Sequence, residues 1–384
     1  MGDEIMIVAG EASGDLHGSR LVAELRTLVP SIHFSGMGGQ ELDRAGVELL
    51  CDAAKISVVG IFEVISHLGD ILGAQRVLRR RLSRGNIKLL ILVDLPDFNL
   101  LLARRAKKLG IPIFYYISPQ IWAWRTGRVK TMANRIDRIG VILPFEESFY
   151  RSHGVDAHYV GHPLLDSVVT QFSTEEFKSR YAIAPGVRVV GLLPGSRVKE
   201  VKRLLPLFLD AAREISEKRS ERFCFVIPRA STISEDELDR CGLAGYRDLL
   251  DIRVVSDHRY ELMASCEAVI TASGTVTLEL LLLNTPMIVT YKLSPLTYWL
   301  GRMLVRIDYF SLVNLIAGKR IVPELLQHEV TAPALAKWLD KLLYDEHTAY
   351  STRQNFMTVR KLLGKPGASR RAAQVARELL QENG

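Results

Sequence analysis

Two short turns in the second half of the chain carry residue types suited to gripping an anion. Leu193-Pro194-Gly195-Ser196-Arg197 ends an apolar run and opens a segment of helical period. Gly195 permits close backbone approach, Ser196 offers a hydroxyl, and Arg197 offers a rigid fork of donors at a helix N-terminus. Together they suit a pyrophosphate oxyanion. The plainer alternative is an ion pair between Arg197 and Glu200 on the same helix. Ala272-Ser273-Gly274-Thr275-Val276-Thr277-Leu278-Glu279 repeats the logic after a second buried run. Ser273, Gly274 and Thr275 can present hydroxyls and N–H groups to phosphate. Glu279, four residues after Thr275, shares its helix face and can accept from the hydroxyls of a ribose. Alternatively, Thr275 caps the helix and Glu279 balances its dipole. No Asp-x-Asp occurs and no His/carboxylate spacing suggests a metal, so the charge of a departing nucleoside diphosphate would fall to Arg197 and helix N-termini.

The first half carries a different chemistry. The turn Ala9-Gly10-Glu11-Ala12-Ser13-Gly14-Asp15 is not a dinucleotide fingerprint, because Glu11 and Asp15 would repel a pyrophosphate. The two acids suit a hydroxyl-rich substrate, or else Asp15 merely faces a helix dipole. Val93-Asp94-Leu95-Pro96-Asp97-Phe98-Asn99 ends a near-continuous apolar strand, where ligands of open parallel sheets bind. Partial desolvation there would raise Asp97 toward a useful general base, with Asp94 as rival and His17 as a second candidate. Gln120, Trp122, Trp124 and Arg125 in Ser118–Arg125 suit a wall that stacks on sugar and grips phosphate, although tryptophans packed in a core read the same way.

The segment from Ile61 to Leu82 has helical period. Phe62, Val64, Ile65, Leu68, Ile71 and Leu72 form an apolar band, followed by Arg76, Arg79, Arg80, Arg81 and Arg84. Such a band suits the interface of an anionic membrane, or a core-facing helix with a basic outer side.

These residues need scaffolds. The chain has 384 residues, nearly half of them apolar, which suits two lobes. Four scattered cysteines form no Cys-x-x-Cys pair and fit a reducing compartment. No transmembrane segment and no signal peptide is expected. The formal charge of +7 suits an anionic partner; without zinc-finger or RNA-binding signatures, nucleic acid is not expected. Apolar runs at 5–9, 33–36, 89–93, 112–117, 139–143 and 157–160 predict one parallel series, and runs at 189–193, 223–227, 252–255, 268–271 and 287–291 a second. Both series open with a strand, a Gly/Ser-rich turn and a helix, which predicts an α/β protein of two Rossmann-like lobes. The expected boundaries are 1–170, 187–345 and a helical tail over 346–384, with the linker between Gly161 and Gly186. Pro366 and Gly367 mark a break, with Ser369 as N-cap of a last helix.

The motifs AGEASGD, VDLPDFN, SPQIWAWR, LPFE, VGHP, LLPGSR, ASGTVTLE and YFSLVNLIAG run in order from residue 9 to about 318. With them the chain resembles the lipid-A-disaccharide synthase family, inverting transferases of the GT-B fold. The resemblance implies that UDP-2,3-diacylglucosamine donates its sugar to the 6-hydroxyl of 2,3-diacylglucosamine 1-phosphate, giving a β-1,6 disaccharide and UDP without a cofactor. It implies Asp97 as base, Gly195, Ser196, Arg197, Ser273, Gly274, Thr275, Glu279 and Asn314 around the donor, and Arg125 at the acceptor phosphate. Glu11, Asp15, Gln120, Trp122 and Trp124 would complete the acceptor side. It further implies tail helices returning to the first lobe and peripheral attachment to the cytoplasmic face of an inner membrane, and it is compatible with oligomers. The rivals are a UDP-N-acetylglucosamine 2-epimerase of the same fold and a non-catalytic sugar-nucleotide sensor at membranes.

Overall fold

The computed structural model describes residues 2–55, 68–124, 126–294, 298 and 308–383. The chain divides into two compact units, Met1–Leu165 with Leu363–Gly384, and Asp166–Leu362.

The first unit is built on a parallel seven-stranded sheet: β1 (Glu4–Ala9), β2 (His33–Gly38), β3 (Glu48–Asp52), β4 (Ile87–Val93), β5 (Ile113–Tyr116), β6 (Arg138–Val141) and β7 (Ala157–Tyr159). The spatial order is β3-β2-β1-β4-β5-β6-β7. β1 and β5 are buried along their whole length. Helices therefore cover both faces, and the strands read as continuous apolar runs without alternation. The second unit repeats the plan with β8 (Arg188–Leu193), β9 (Phe223–Pro228), β10 (Ile252–Val255), β11 (Ala268–Ala272), β12 (Met287–Tyr291) and β13 (Glu324–Leu326), ordered β10-β9-β8-β11-β12-β13. In helix Val198–Lys218 the residues Val201, Leu204, Leu205, Phe208, Ala212 and Ile215 form a buried stripe at helical spacing, which docks it on this sheet.

Both sheets follow the doubly wound order, in which the chain starts centrally, winds to one edge, then returns to the other side of its first strand. The switch points fall between β1 and β4, where Ala9 pairs with Val93, and between β8 and β11, where Leu193 pairs with Thr271. Each switch point leaves two loops side by side at the carboxyl edge of its sheet.

The tail divides differently from the expectation. Helix Ala368–Glu382 does return to the first unit. Its small face, Ala368, Ala372, Ala373 and Ala376, packs closely with helix Ala12–Leu28. Helix Glu346–Leu362 instead stays with the second unit, because Phe356 and Val359 are buried there and Arg360 donates to the Leu282 carbonyl at 3.1 Å. The return therefore begins at Leu363 and not at 346. The last helix starts from Gly367 in a left-handed conformation, with φ +97°; Ser369 lies inside the first turn and is not the N-cap. The unit boundary at Leu165 lies within the expected linker, which itself holds helices Leu164–Ser167 and Thr174–Arg180.

Candidate active site

In the first unit, the β4 loop is held in an unusual backbone shape. Asp94 and Leu95 both adopt left-handed φ, +48° and +47°, just before Pro96 starts helix Pro96–Lys108. Consecutive non-glycine residues in this region store strain, which the surroundings must offset. Asn99 Nδ2 donates to the carbonyls of Val93 and Asp94, at 3.2 and 2.7 Å, and the Tyr115 hydroxyl donates to the Asp94 carbonyl at 2.5 Å. Leu95 folds over Gly10 of the neighbouring turn, where an added Cβ would lie 2.4 Å from Leu95 Cδ2. Gly10 thus makes room for the loop that carries both aspartates.

The desolvation expected at Asp97 falls on Asp94. Burial and the nearby Glu11 carboxylate push the Asp94 carboxyl up to about 6. Asp97 points outward, with its side chain 74% exposed, and accepts a hydrogen bond from Arg128 Nη2 at 2.5 Å. The left-handed pair turns Asp94 inward and leaves Asp97 on the first turn of the helix, facing solvent. His17 is mostly buried. Burial first, then Arg20, holds its imidazole near 4, so it is neutral at pH 7 and a weak base.

Asp15 does not face a substrate. Its buried carboxylate accepts from the backbone N–H groups of Gly39, Glu41 and Leu42, at 2.7, 2.9 and 3.2 Å, and so caps helix Gln40–Arg44. Glu11 is exposed at the start of helix Ala12–Leu28. Gln120 is also exposed, whereas Trp122 is half-buried. The Trp124 side chain and Arg125 lie outside the described residues, as do Phe62, Val64 and Ile65. Of the remaining apolar band, Leu68 and Leu72 are about half exposed, while Ile71 packs against the core. Arg81 is not part of an outer basic face. It donates to Glu4 and Glu48, at 2.8 and 2.6 Å, tying its helix to β1 and β3.

In the second unit, the two anion-suited turns are neighbours across the β8/β11 switch point. Gly195 needs its glycine twice over. Its φ is +108°, and a Cβ would lie 2.5 Å from the Glu200 carboxylate. Ser196 and Arg197 are exposed at the head of helix Val198–Lys218. The alternative pairing to Glu200 exists only as a loose contact of 3.8 Å, with the Arg197 side chain 66% exposed. Opposite, Gly274 and Thr275 are exposed, and Gly274 has open space where a Cβ would stand. Ser273 is more committed, since its hydroxyl donates to the Phe310 carbonyl at 3.1 Å.

Glu279 is buried and paired with Arg259, a partner that sequence spacing gave no reason to choose. Burial raises its carboxyl, against the lowering effect of Arg259. Asn314 has no group left to reach a donor. Its Nδ2 donates to Val322 O and Glu324 Oε1, and its Oδ1 accepts from the N–H groups of Ile321 and Val322. Glu324 also accepts from the backbone and hydroxyl of Ser311, at 2.9 and 2.6 Å. Asn314 therefore braces the loop that follows its helix, and does so from full burial.

Among the described residues, no group of three or more His, Cys, Asp and Glu side chains is clustered to hold a metal. No helix among them is long and apolar enough to cross a membrane.

Two doubly wound units, each with polar turns at its switch point, define an α/β protein of the GT-B fold. The fold is shared with a putative UDP-N-acetylglucosamine 2-epimerase from Listeria monocytogenes, with a TM-score of 0.63, 13% identity and coverage of 97% of this chain and 94% of that one. It is shared equally with TcCGT1 in complex with UDP, with a TM-score of 0.62, 13% identity and coverage of 100% of both chains. The family is narrower than the fold: a family model described as lipid-A-disaccharide synthetase matches residues 5–379, and the chain belongs to the lipid-A-disaccharide synthase family. It is 45% identical over 376 residues to the lipid-A-disaccharide synthase of Geobacter sulfurreducens, covering 98% of this chain and 97% of that protein.

Proposed function

We propose that the chain forms the lipid A disaccharide by one in-line displacement. The sugar of UDP-2,3-diacylglucosamine passes to the 6-hydroxyl of 2,3-diacylglucosamine 1-phosphate, and UDP leaves. The reading rests on the site's chemistry and on family membership. The observation that carries it is the placement of a carboxylate-bearing loop at one switch point and an arginine-headed turn at the other. Asp97 acts as the general base, since it stands beyond the end of β4 on a side chain exposed to solvent. Its pairing with Arg128 has to loosen as the acceptor enters. Asp94, directed inward beside Glu11, maintains the loop.

Ser196, Arg197 and the head of helix Val198–Lys218 receive the diphosphate, with Gly274 and Thr275 across from them, so that its charge is met without a metal. Glu279, oriented by Arg259, takes the ribose hydroxyls. Trp122 and Gln120 line the acceptor side. Leu68 and Leu72, with Arg76, Arg79 and Arg80 exposed further along the same helix, rest on an anionic membrane surface where both acylated substrates reside. The protein works peripherally on the cytoplasmic face of that membrane.

The test is Asp97→Asn. Turnover should fall by about 10²–10⁴-fold, the usual contribution of a positioned base, while UDP binds as before. Near-normal turnover would remove Asp97 from this role.

A further inference from the structure

The carboxylate of Glu146 is almost wholly removed from water, at 2% exposure, at the start of helix Glu146–Arg151 just after β6. Three N–H donors converge on it. Trp122 Nε1 donates to Oε1 at 3.0 Å, and the backbone N–H groups of Ile142 and Leu143 donate to Oε2 at 3.2 and 2.9 Å. Burial pushes this carboxyl up to about 7, against the lowering effect of those same bonds. Among the described residues no cation pairs with this carboxylate; burying one so is costly, and a hydrophobic contact would pack Trp122 more cheaply. What the carboxylate adds is direction: it fixes the rotation of the indole.

Other contacts hold the same loop. The Trp122 ring meets Phe145 edge-on, with centroids 5.0 Å apart and planes at 87°. The Tyr150 hydroxyl donates to the Pro119 carbonyl at 3.1 Å. The β6 loop thus grips the segment after β5 through the backbone near Gln120 and through the indole of Trp122, whose side chain stays half-buried.

We infer that Glu146 is a positioning residue, which locks the Trp122 indole as a fixed wall for the acceptor sugar. The inference rests on the placement of Trp122 at the acceptor proposed above. The chemistry of the pocket demands an acceptor-only group. In Glu146→Gln the side chain keeps its size but presents one oxygen and one NH₂, so either the indole or the two backbone donors face another donor.

The test uses the full chain labelled with 5-fluorotryptophan. The ¹⁹F spectrum should show one resonance for each of the four tryptophans, and Trp122→Phe identifies the signal of Trp122. Glu146→Gln is expected to move or broaden that signal and leave the other three in place. At about pH 9, where the Glu146 carboxyl has lost its proton, the substitution should raise KM for the acceptor about tenfold, the loss expected when a hydrogen bond to a charged group goes, with donor KM unchanged. Where Glu146→Gln alone does not fold, the double variant Trp122→Phe/Glu146→Gln removes the surplus donor. Its acceptor KM should then equal that of Trp122→Phe alone.

A Trp122 signal unmoved by Glu146→Gln, a moved signal with unchanged acceptor KM, or a double variant worse than Trp122→Phe would each overturn the positioning role. If Trp122→Phe itself leaves acceptor KM unchanged, the placement of Trp122 at the acceptor is what fails.

Discussion

Arg197→Ala removes the only side-chain cation in the turn after β8, and the structure separates its effect on binding from its effect on stability. The guanidinium is 66% exposed and its one ion pair among the described residues, to Glu200, spans 3.8 Å between two solvent-accessible groups. Pairs of this kind contribute about 0–1 kcal/mol, so losing it should lower the unfolding temperature by no more than about 2 °C. Binding should respond far more. A guanidinium facing a diphosphate makes charge-assisted hydrogen bonds of about 1.5–3 kcal/mol, which corresponds to a rise in the Kd for UDP of about 10–150-fold. Glu200 should deepen the loss, because its carboxylate sits directly under Gly195 and is left to repel the ligand once Arg197 is gone. Arg197→Lys, which keeps the charge but not the fork, should fall between the two. Titration calorimetry with UDP in EDTA, beside calorimetric unfolding, measures both quantities. An unchanged Kd, or a loss of binding matched by a large fall in unfolding temperature, would refute the assignment of the diphosphate to this turn.

Two further substitutions probe the loop that carries the proposed base. The Asp94 carboxyl, raised from its ordinary 3.8 to about 6, keeps its proton in the folded state between about pH 4 and 6, while the unfolded chain has released it. Stability therefore falls as pH rises through that window, by up to about 3 kcal/mol. Asp94→Asn, which tolerates a left-handed backbone, should match the parent near pH 4 and be the more stable protein above pH 6; denaturant unfolding at both pH values checks this. Gly10→Ala drives a methyl group to within 2.4–2.8 Å of the Leu95 side chain. Overpacking of this kind costs about 1–3 kcal/mol, and it should lower kcat through Asp97 with UDP affinity intact. Full kcat in Gly10→Ala would detach the loop from catalysis.

Much of this was legible in the sequence because parallel strands buried on both faces write themselves as apolar runs. β1, β4, β8, β9 and β11 all stand within a few residues of where those runs predict them. β3 and β13 were not legible. The first, Glu48–Asp52, is a half-exposed edge strand with acids at both ends, and the second is short and opens on a glutamate, Glu324, which breaks the apolar run. The turns around Gly195 and Gly274 stand after β8 and β11 as expected, because glycine and hydroxyl residues after an apolar run mark a turn locally. The aspartates were not: two consecutive left-handed residues decide which of Asp94 and Asp97 faces the interior.

Roles set by distant partners were equally hidden. Asp15 serves N–H groups more than twenty residues ahead, and Asn314 answers to a glutamate on β13. Arg81 is claimed by Glu4 and Glu48, from strands that a basic helix face does not reveal. Spacing finds pairs on one helix, whereas these pairs are made by the sheet.

The most direct measurement is release of UDP from UDP-2,3-diacylglucosamine by the purified protein in detergent micelles with EDTA, with and without 2,3-diacylglucosamine 1-phosphate. Release that requires the acceptor, survives EDTA and accompanies the disaccharide 1-phosphate is the predicted result. Release without acceptor, release abolished by EDTA, or UDP binding with no turnover would contradict a metal-independent lipid glycosyltransferase.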